Sequence, residues 1–297
     1  MKRALIFAGQ GQQFHLMGQD LANEYPSVAH IYKRAHEITG IDILHLDEDS
    51  INQTKYTQLA VYVIEMAILT LIEDVSVDVV AGLSLGEYAA LTKAGVIDFD
   101  TALKLIQARA EIMDSAFEHG QTGMMALLKT DIDTVEKALI NTNLEVCNYN
   151  TASQIVIGGW TEDLEAVKSD LKEAGFRMMI PLKVSSVSHM SLLSSASEKL
   201  RVLLDQVDFK KPTIPFIANV SADYQVDNFQ ESLQEQICKR TRIYETLLRM
   251  IDSGVEEFVE IGPKGSIGKF VKSIDKELKT VTLFDLKSVQ SYLEMES

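Results

Sequence analysis

Short apolar runs that alternate with longer segments of helical periodicity constrain this chain more than any other feature. Most of the predicted strands are apolar on both faces, as buried strands of a parallel sheet are, and they cover residues 4–8, 77–81, 216–220, 257–261 and 281–285. The main predicted helices cover residues 25–39, 57–73, 87–93, 101–117 and 191–206. This alternation predicts an α/β fold in which helices cover a parallel sheet.

The middle of the chain has a different order of elements. The predicted elements are, in order, a strand at 124–128, a helix from 133, strands at 144–148 and 154–157, a helix at 161–174 and a strand at 177–184. The order β-α-β-β-α-β is typical of a ferredoxin-like unit. We therefore predict a large α/β domain formed by residues 1–122 and 189–297, with a small ferredoxin-like domain inserted at residues 123–188.

The composition excludes several classes of protein. With 46% apolar and 24% charged residues, the chain is typical of a soluble globular protein rather than a disordered or fibrous one. Its net charge of −15 argues against non-specific binding to nucleic acid, which requires clustered Lys and Arg. No apolar run approaches the roughly 20 residues needed to cross a bilayer, so no membrane association is predicted.

The cysteines and histidines of the chain argue against disulfide, redox and metal sites. Cys147 and Cys238 are too few and too far apart for a disulfide framework or a C-x-x-C site, which favours a cytoplasmic protein. The six histidines have no metal-binding spacing, so no metal site is predicted.

Residues 82–86 form a G-x-S-x-G pattern between a predicted buried strand and a predicted helix. In that context the pattern is typical of a nucleophile elbow. The two glycines permit a tight turn that exposes the Ser84 hydroxyl at the start of the helix, where the helix dipole and the Leu85 amide would stabilise an oxyanion. An incidental glycine-rich turn is the alternative interpretation.

His189 is the candidate base for Ser84, because it lies just past the predicted insertion, where two domains would meet. The chain is a poor match to an α/β-hydrolase triad, since more than 100 residues follow His189 and no acidic third member is evident. A purely structural histidine is the alternative.

Arg109 borders the apolar face of the helix predicted at residues 101–117. A guanidinium in that position requires an anionic partner, and its planar fork suits a carboxylate. The partner is either a carboxylate of a ligand or a carboxylate of the protein itself.

Residues 9–13, Gly-Gln-Gly-Gln-Gln, follow the first predicted strand. Phe14 stands where the third glycine of a dinucleotide-binding motif belongs, so that interpretation is weak. We predict instead a close-packed loop at the carboxyl ends of the strands, with amides that supply an oxyanion donor.

Together these motifs resemble the malonyl-CoA:acyl carrier protein transacylase family nearly end to end. The matching segments lie at residues 9–13, 56–58, 82–88, 123–126, 148–158, 181–189 and 260–263, together with the arginine at 109. The sequence departs from the family pattern at four positions: Leu59, Leu83, Thr241 and Lys264.

The resemblance implies an α/β-hydrolase-like parallel-sheet domain with the ferredoxin-like insertion, and it implies roles for individual residues. The nucleophile would be Ser84, the general base and then acid His189, the oxyanion hole the amides of Gln10 and Leu85, and the anchor for the malonyl carboxylate Arg109. The remaining implied roles are support of the pocket by Gln58 and Asn150 and orientation of the histidine by the backbone carbonyl of Arg242.

The implied activity is transfer of the malonyl group from malonyl-CoA to the phosphopantetheine thiol of an acyl carrier protein by ping-pong serine acylation, for fatty acid synthesis. Malonyl-CoA is then a substrate, and no cofactor is expected. A stand-alone polyketide acyltransferase and a proofreading acyl hydrolase are alternatives, although a carboxylate anchor has little use in the hydrolase. A catalytically silent module that binds the carrier protein is the alternative from another class.

Because CoA and the carrier protein are both anionic, we expect a local basic surface on this acidic chain. The candidates for that basic patch are Lys239, Arg240, Lys269, Lys272 and Lys276. An ordinary solvated face is the alternative. We expect the chain to be a monomer.

Overall fold

The structure is a computed structural model that describes residues 1–296. These residues form eight strands, β1 (Lys2–Phe7), β2 (Val79–Gly82), β3 (Thr122–Leu128), β4 (Glu145–Thr151), β5 (Gln154–Trp160), β6 (Met178–Pro181), β7 (Val255–Ile261) and β8 (Lys279–Leu283). The α-helices are α1 (Gln19–Glu24), α2 (Pro26–Thr39), α3 (Thr54–Leu69), α4 (Gly86–Lys93), α5 (Phe99–Asp114), α6 (Ile132–Leu139), α7 (Thr161–Ala166), α8 (Lys168–Glu173), α9 (Ser194–Leu204), α10 (Phe229–Cys238), α11 (Ile243–Asp252), α12 (Ser266–Ile274) and α13 (Leu286–Glu296). None of these helices has the length and apolar character needed to span a membrane.

A four-stranded parallel sheet with the order β2-β1-β7-β8 forms the centre of the larger part of the molecule. On β1, Leu5 and Phe7 pack into the core that contains α3, α4 and α5, while Ala4 and Ile6 pack on the opposite face with α11 and α12. Both faces of the strand are therefore buried, which explains its unbroken apolar sequence. The α/β fold class with a parallel sheet is confirmed.

A separate antiparallel sheet with the order β4-β5-β3-β6 is built from the middle of the chain. On β3, Met125 and Leu127 pack against α6, α7 and α8. The opposite face of β3 presents Met124 and Ala126 to Val187 and Met190, which flank His189. This second sheet thus helps to position the segment that carries the candidate base.

The strand predicted at residues 216–220 is wrong. Phe216 and Ile217 form only isolated bridges, to Val80 and Tyr224, and the chain turns at Asn219. The main-chain nitrogen of Asn219 donates to the buried Glu87 carboxyl (2.9 Å) instead of a neighbouring strand. A side-chain acceptor has therefore replaced the ladder hydrogen bond that would extend a strand.

Two helix predictions also need correction. The segment 161–174 forms two six-residue helices, α7 and α8, which meet at Val167. Helix α6 begins at Ile132, one residue before the predicted start at 133, because the Asp131 side chain accepts from the Thr134 amide (2.9 Å) and caps the helix there.

Candidate active site

Ser84 lies in a tight turn between β2 and α4. Its φ of +54° is in the left-handed region, a strained conformation for a non-glycine residue that recurs at functional sites. A Cβ on Gly82 would lie 2.0 Å from the main-chain oxygen of Gly86, and a Cβ on Gly86 would lie 2.3 Å from the main-chain oxygen of Phe7. Only glycine fits at either position, and the turn has the geometry of a nucleophile elbow.

The side chain of Asn219 stabilises this turn through two hydrogen bonds. This side chain is fully buried, donates from Nδ2 to the carbonyl of Gly82 and accepts at Oδ1 from the amide of Ser84 (2.7 Å). Asn219 is not among the functional residues predicted from the sequence. Its only local signal is a polar residue at the end of an apolar run that was interpreted as a strand.

His189 is buried and presents one ring nitrogen to a backbone carbonyl. Its Nδ1 lies 2.6 Å from the main-chain oxygen of Gln236. Because a carbonyl only accepts, Nδ1 carries the proton and Nε2 keeps its lone pair. Burial lowers the pKa of His189 to about 4; the bond to Gln236 opposes this shift and the charge of Arg109 adds to it. The imidazole is therefore a neutral base at pH 7.

The prediction that the carbonyl of Arg242 orients His189 is wrong, because that carbonyl belongs to Gln236, six residues earlier. Gln236 lies in the last turn of α10, where carbonyls lack an intrahelical donor and are free to accept from a side chain. Arg242 instead forms an ion pair with Glu245 (Nη2 to Oε1, 2.6 Å) and donates to the carbonyl of Ser221 (3.1 Å).

Arg109 is among the largest fully buried side chains, and its guanidinium contacts Ser84. Nη2 donates to Ser84 Oγ (3.2 Å) and to Gln236 Oε1 (3.1 Å), while Nη1 donates to Gln58 Oε1 (2.5 Å). All three acceptors are neutral, Nε has no acceptor, and no carboxylate within residues 1–296 lies in ion-pair distance. Among residues 1–296 Arg109 therefore forms no ion pair with a protein carboxylate, which was the alternative interpretation.

Glu87, in the first turn of α4, is a second buried charge-bearing group near the elbow. Its Oε1 accepts from the amide of Asn219, and its Oε2 accepts from Nε2 of Gln236. Burial raises the pKa of Glu87 to about 7, although these hydrogen bonds and the charge of Arg109 lower it. Neither Glu87 nor Gln236 is among the functional residues predicted from the sequence.

Two backbone amides point to an oxyanion site. Leu85 is the N-cap of α4, so its amide stands at the positive end of the helix dipole. The loop of residues 9–13 packs on the elbow, since a Cβ on Gly9 would lie 2.8 Å from the carbonyl of Leu83. Neither the Gln10 nor the Leu85 amide donates to a protein acceptor within the described chain. Both predicted donors are thus unused by the protein itself.

A cavity of about 170 Å³ joins Ser84, Arg109, His189 and the loop that contains Gln10. Among its lining residues are Gln10, Ser84, Arg109, Met113, Met124, Asn148, Leu182, Lys183, Val184 and His189. Gln58 supports the pocket from behind, donating to Gln10 Oε1 (3.4 Å) as well as accepting from Arg109. Asn150 does not line the cavity; Asn148, two residues earlier on β4, does.

Ser84 and His189 share this cavity, but the only side-chain partner of Ser84 Oγ within the described residues is Arg109. In ligand-free sites the hydrogen bond between nucleophile and base is often long and shortens when substrate binds. The cavity therefore contains a candidate nucleophile, base, cation and oxyanion site within one concave surface.

The predicted basic patch is partly neutralised. Lys239 is ion-paired with Glu235, and Arg240 with Glu136. Lys272 donates to the carbonyl of Lys276 (2.8 Å), and Lys269 is exposed. Lys239, Arg240 and Arg242 line a larger groove of about 730 Å³, which none of the candidate catalytic residues lines. No cluster of three or more His, Cys, Asp or Glu side chains that could hold a metal occurs in residues 1–296.

Comparison with known proteins gives a consistent assignment. Residues 4–283 match the acyl transferase domain family. The malonyl CoA-acyl carrier protein transacylases of Bacillus subtilis (strain 168) and Synechocystis sp. (strain ATCC 27184 / PCC 6803 / Kazusa) are 33% and 35% identical, over 97% and 100% of this chain and 95% and 100% of their own lengths.

Two solved structures have the same fold over nearly the whole chain. The crystal structure of MCAT from Streptococcus pneumoniae is 37% identical with a TM-score of 0.94, covering 99% of this chain and 100% of that one. A malonyl-transacylase in complex with its type II PKS acyl-carrier protein, PlMCAT:AntF, is 30% identical with a TM-score of 0.95 over the same shares. The chain belongs to the acyl transferase family and, within it, to the malonyl-CoA:acyl carrier protein transacylases.

Proposed function

We propose that this chain transfers the malonyl group of malonyl-CoA to the phosphopantetheine thiol of an acyl carrier protein, through a malonyl ester on Ser84. One observation carries the proposal: Arg109 is a buried cation with only neutral protein partners, and it contacts the candidate nucleophile. The activity named for the relatives supports it. So does the solved complex of a malonyl-transacylase with an acyl-carrier protein.

In the first half-reaction the free carboxylate of malonyl-CoA binds the Arg109 guanidinium, which places the thioester carbonyl beside Ser84 Oγ. The hydroxyl oxygen attacks that carbonyl while Nε2 of His189 takes the hydroxyl proton. The amides of Gln10 and Leu85 donate to the oxyanion of the tetrahedral intermediate. The carbon–sulfur bond then breaks, His189 returns the proton to the departing thiolate, and CoA leaves.

The second half-reaction reverses these roles for the carrier protein. His189 removes the proton from the phosphopantetheine thiol, and the sulfur attacks the ester carbonyl of malonyl-Ser84. When the carbon–oxygen bond breaks, His189 protonates Ser84 Oγ. The malonyl thioester leaves on the carrier, and the enzyme returns to its starting state, with no net consumption of protons or water.

Intact-protein and peptide mass spectrometry tests the proposal directly. Incubation with malonyl-CoA should leave a malonyl adduct on Ser84, and holo acyl carrier protein should discharge it much faster than water does. Ser84→Ala is the matched control and should carry no adduct. Discharge by water at the same rate as by the carrier would indicate an acyl hydrolase, and a wild-type enzyme without adduct would indicate a catalytically silent binding module.

We place the docking surface for the carrier protein at the mouth of the cavity. Residues 174–197 contain no Asp or Glu, although the chain as a whole has a net charge of −15. In this stretch Arg177 and Lys183 are exposed and have no ion-pair partner among residues 1–296. Lys183 lines the cavity beside the exposed apolar side chains of Leu182 and Val184. An acidic partner that delivers a thiol to Ser84 would meet the unpaired positive charge of Lys183 there.

Charge reversal tests this placement against the basic patch predicted from the sequence. With enzyme that already carries the malonyl group, Arg177→Glu combined with Lys183→Glu should raise the carrier KM by about tenfold at low salt, and less at high salt. The matched control is Lys269→Glu combined with Lys272→Glu, which should leave that KM unchanged. If only the control pair raises the carrier KM, the docking surface is the originally predicted patch.

A further inference from the structure

Gln236 forms hydrogen bonds with all three functional residues of the proposed site, through two side chains and one main-chain carbonyl. Its main-chain oxygen accepts from His189 Nδ1 (2.6 Å), its Oε1 accepts from Arg109 Nη2 (3.1 Å), and its Nε2 donates to the carbonyl of Ser84 (2.8 Å). The side chain is fully buried, so no water competes for these positions. The direction in which its amide points therefore decides what Arg109 faces.

An amide has two possible orientations that differ by exchange of its oxygen and nitrogen. In the observed orientation, Gln236 presents an acceptor to Arg109. In the reversed orientation it would present an NH₂ group, and two donors would oppose each other in a buried site. Burying such an unmatched pair is costly, and the guanidinium would have to turn away from Ser84.

Glu87 and the main-chain carbonyl of Ser84 both select the observed orientation, because Nε2 of Gln236 donates to each of them. Oε2 of Glu87 accepts from Nε2 of Gln236, and above the Glu87 pKa of about 7 the ionised carboxylate can only accept. The oxygen of the Gln236 amide cannot face it, so that oxygen is left for Arg109. The second carboxylate oxygen accepts from the main-chain nitrogen of Asn219, whose side chain fastens the turn that holds Ser84.

We propose that Glu87 is a positioning residue for malonyl transfer, which acts through Gln236 to keep the Arg109 guanidinium aimed at Ser84. This inference rests on the proposed function, since its readout is the preference for an acyl group that carries a carboxylate. Glu87 contacts no substrate atom in this proposal. Its contribution is the fixed direction of one buried amide.

Two substitutions at Glu87 separate this role from a packing role. Glu87→Gln preserves the size of the side chain but introduces an NH₂ group that opposes Nε2 of Gln236, so that only the Ser84 carbonyl still favours the observed orientation. Glu87→Asp keeps the acceptor-only character but is one methylene shorter. If Glu87 acted through packing alone, the glutamine variant would be the milder of the two. If it acts by fixing the amide, the aspartate variant retains more of the malonyl preference.

The measurement is the rate of Ser84 acylation by malonyl-CoA divided by the rate with acetyl-CoA, for folded protein verified by its thermal unfolding. We expect Glu87→Gln to lower this ratio by about tenfold or more, mainly through a higher KM for malonyl-CoA. Glu87→Asp should lower it less. Glu65→Gln is the matched control, because Glu65 is also a fully buried glutamate but makes no hydrogen bond to Gln236, and it should leave the ratio unchanged.

An unchanged ratio in Glu87→Gln, or a greater loss in Glu87→Asp than in Glu87→Gln, would overturn the inference. These outcomes are distinct from failure of the proposed function. That failure would appear in the wild-type enzyme, as absence of a malonyl adduct on Ser84. A wild-type enzyme that forms the adduct, together with variants that keep their malonyl preference, would reject only the role of Glu87.

Discussion

The guanidinium Nη2 of Arg109 lies 3.2 Å from the hydroxyl oxygen of Ser84. A carboxylate bound to this guanidinium and a carbonyl under attack by this hydroxyl must therefore be close neighbours in one acyl group. In a malonyl thioester the two groups are separated by a single methylene. The contact between Arg109 and Ser84 thus favours malonyl over acyl groups whose carboxylate lies further along a chain, and over acyl groups that have no carboxylate.

Replacing Arg109 with alanine should change substrate preference more than it changes acyl transfer as such. Loss of one partner of a buried charge pair costs about 2–5 kcal/mol, so kcat/KM for malonyl-CoA should fall about 30-fold or more. Transfer from acetyl-CoA should persist or rise, because the acetyl group has no carboxylate that could bind Arg109. Steady-state assays with both substrates check this. Arg249→Ala, at an exposed arginine, is the control. Equal losses with malonyl and acetyl would contradict a carboxylate role for Arg109.

The reactivity of Ser84 should depend on pH through His189. Burial lowers the pKa of His189 to about 4, and only the neutral imidazole accepts the serine proton. The rate should therefore rise as pH increases through about 4 and stay level above it, whereas an unperturbed histidine would give a midpoint of about 6.5.

The rate of Ser84 modification by phenylmethanesulfonyl fluoride measures this dependence, because the reagent has no titratable group that would add its own pH dependence. As a control, enzyme that is exposed briefly to acid and returned to neutral pH should react with the reagent at its original rate, which shows that the acid has not inactivated it. His189→Ala should react slowly at every pH. A midpoint near the unperturbed histidine value would show that the base is solvated or is a different group.

Asn219 should be intolerant of a change that preserves its shape. Asn219→Asp retains an acceptor for the Ser84 amide but turns the donor to Gly82 into a second acceptor, so two oxygens oppose each other in a fully buried site. An unsatisfied buried polar group costs about 1–3 kcal/mol, and the free energy of unfolding should fall by at least that amount. The acylation rate should fall as well, because the turn that holds Ser84 loses its hydrogen bond from Asn219 to Gly82. Urea unfolding and a single-turnover assay measure both effects, and Asn141→Asp, at an exposed position, should change neither.

Ser84, His189 and Arg109 could be selected from the sequence because each has a local signal. Ser84 stands between paired glycines, His189 follows the switch from one periodicity to another, and Arg109 interrupts an apolar helix face. The structure brings these three side chains into one cavity. The two sheets likewise follow from patterns of apolar residues that can be read along the chain.

The groups that hold those side chains had no such signal. The partner of His189 is a backbone carbonyl, and any residue type supplies one, so the register was wrong by six positions and Arg242 was chosen in place of Gln236. Asn219 contacts a turn that lies 135 residues away in sequence. Its own segment resembled a strand because the side chain that interrupts the strand, Glu87, belongs to a distant helix.

At Gly86 the tight turn that holds Ser84 packs directly on strand β1, so a substitution there should affect the stability of the fold as well as catalysis. Gly86→Ala would place a methyl group 2.3 Å from the main-chain oxygen of Phe7, in the central strand of the parallel sheet, where neither backbone can move freely. Overpacking of this kind costs about 1–3 kcal/mol or more, and we expect a loss of unfolding free energy in that range together with loss of Ser84 acylation.

Gly268→Ala is the matched control. Its new Cβ in helix α12 would meet neighbours at 3.5 Å or more, so this variant should be stabilised by about 0.5–1 kcal/mol and stay active. Urea unfolding of both variants decides the point: equal stability of the two would mean that the close packing of the turn on β1 does not constrain Gly86.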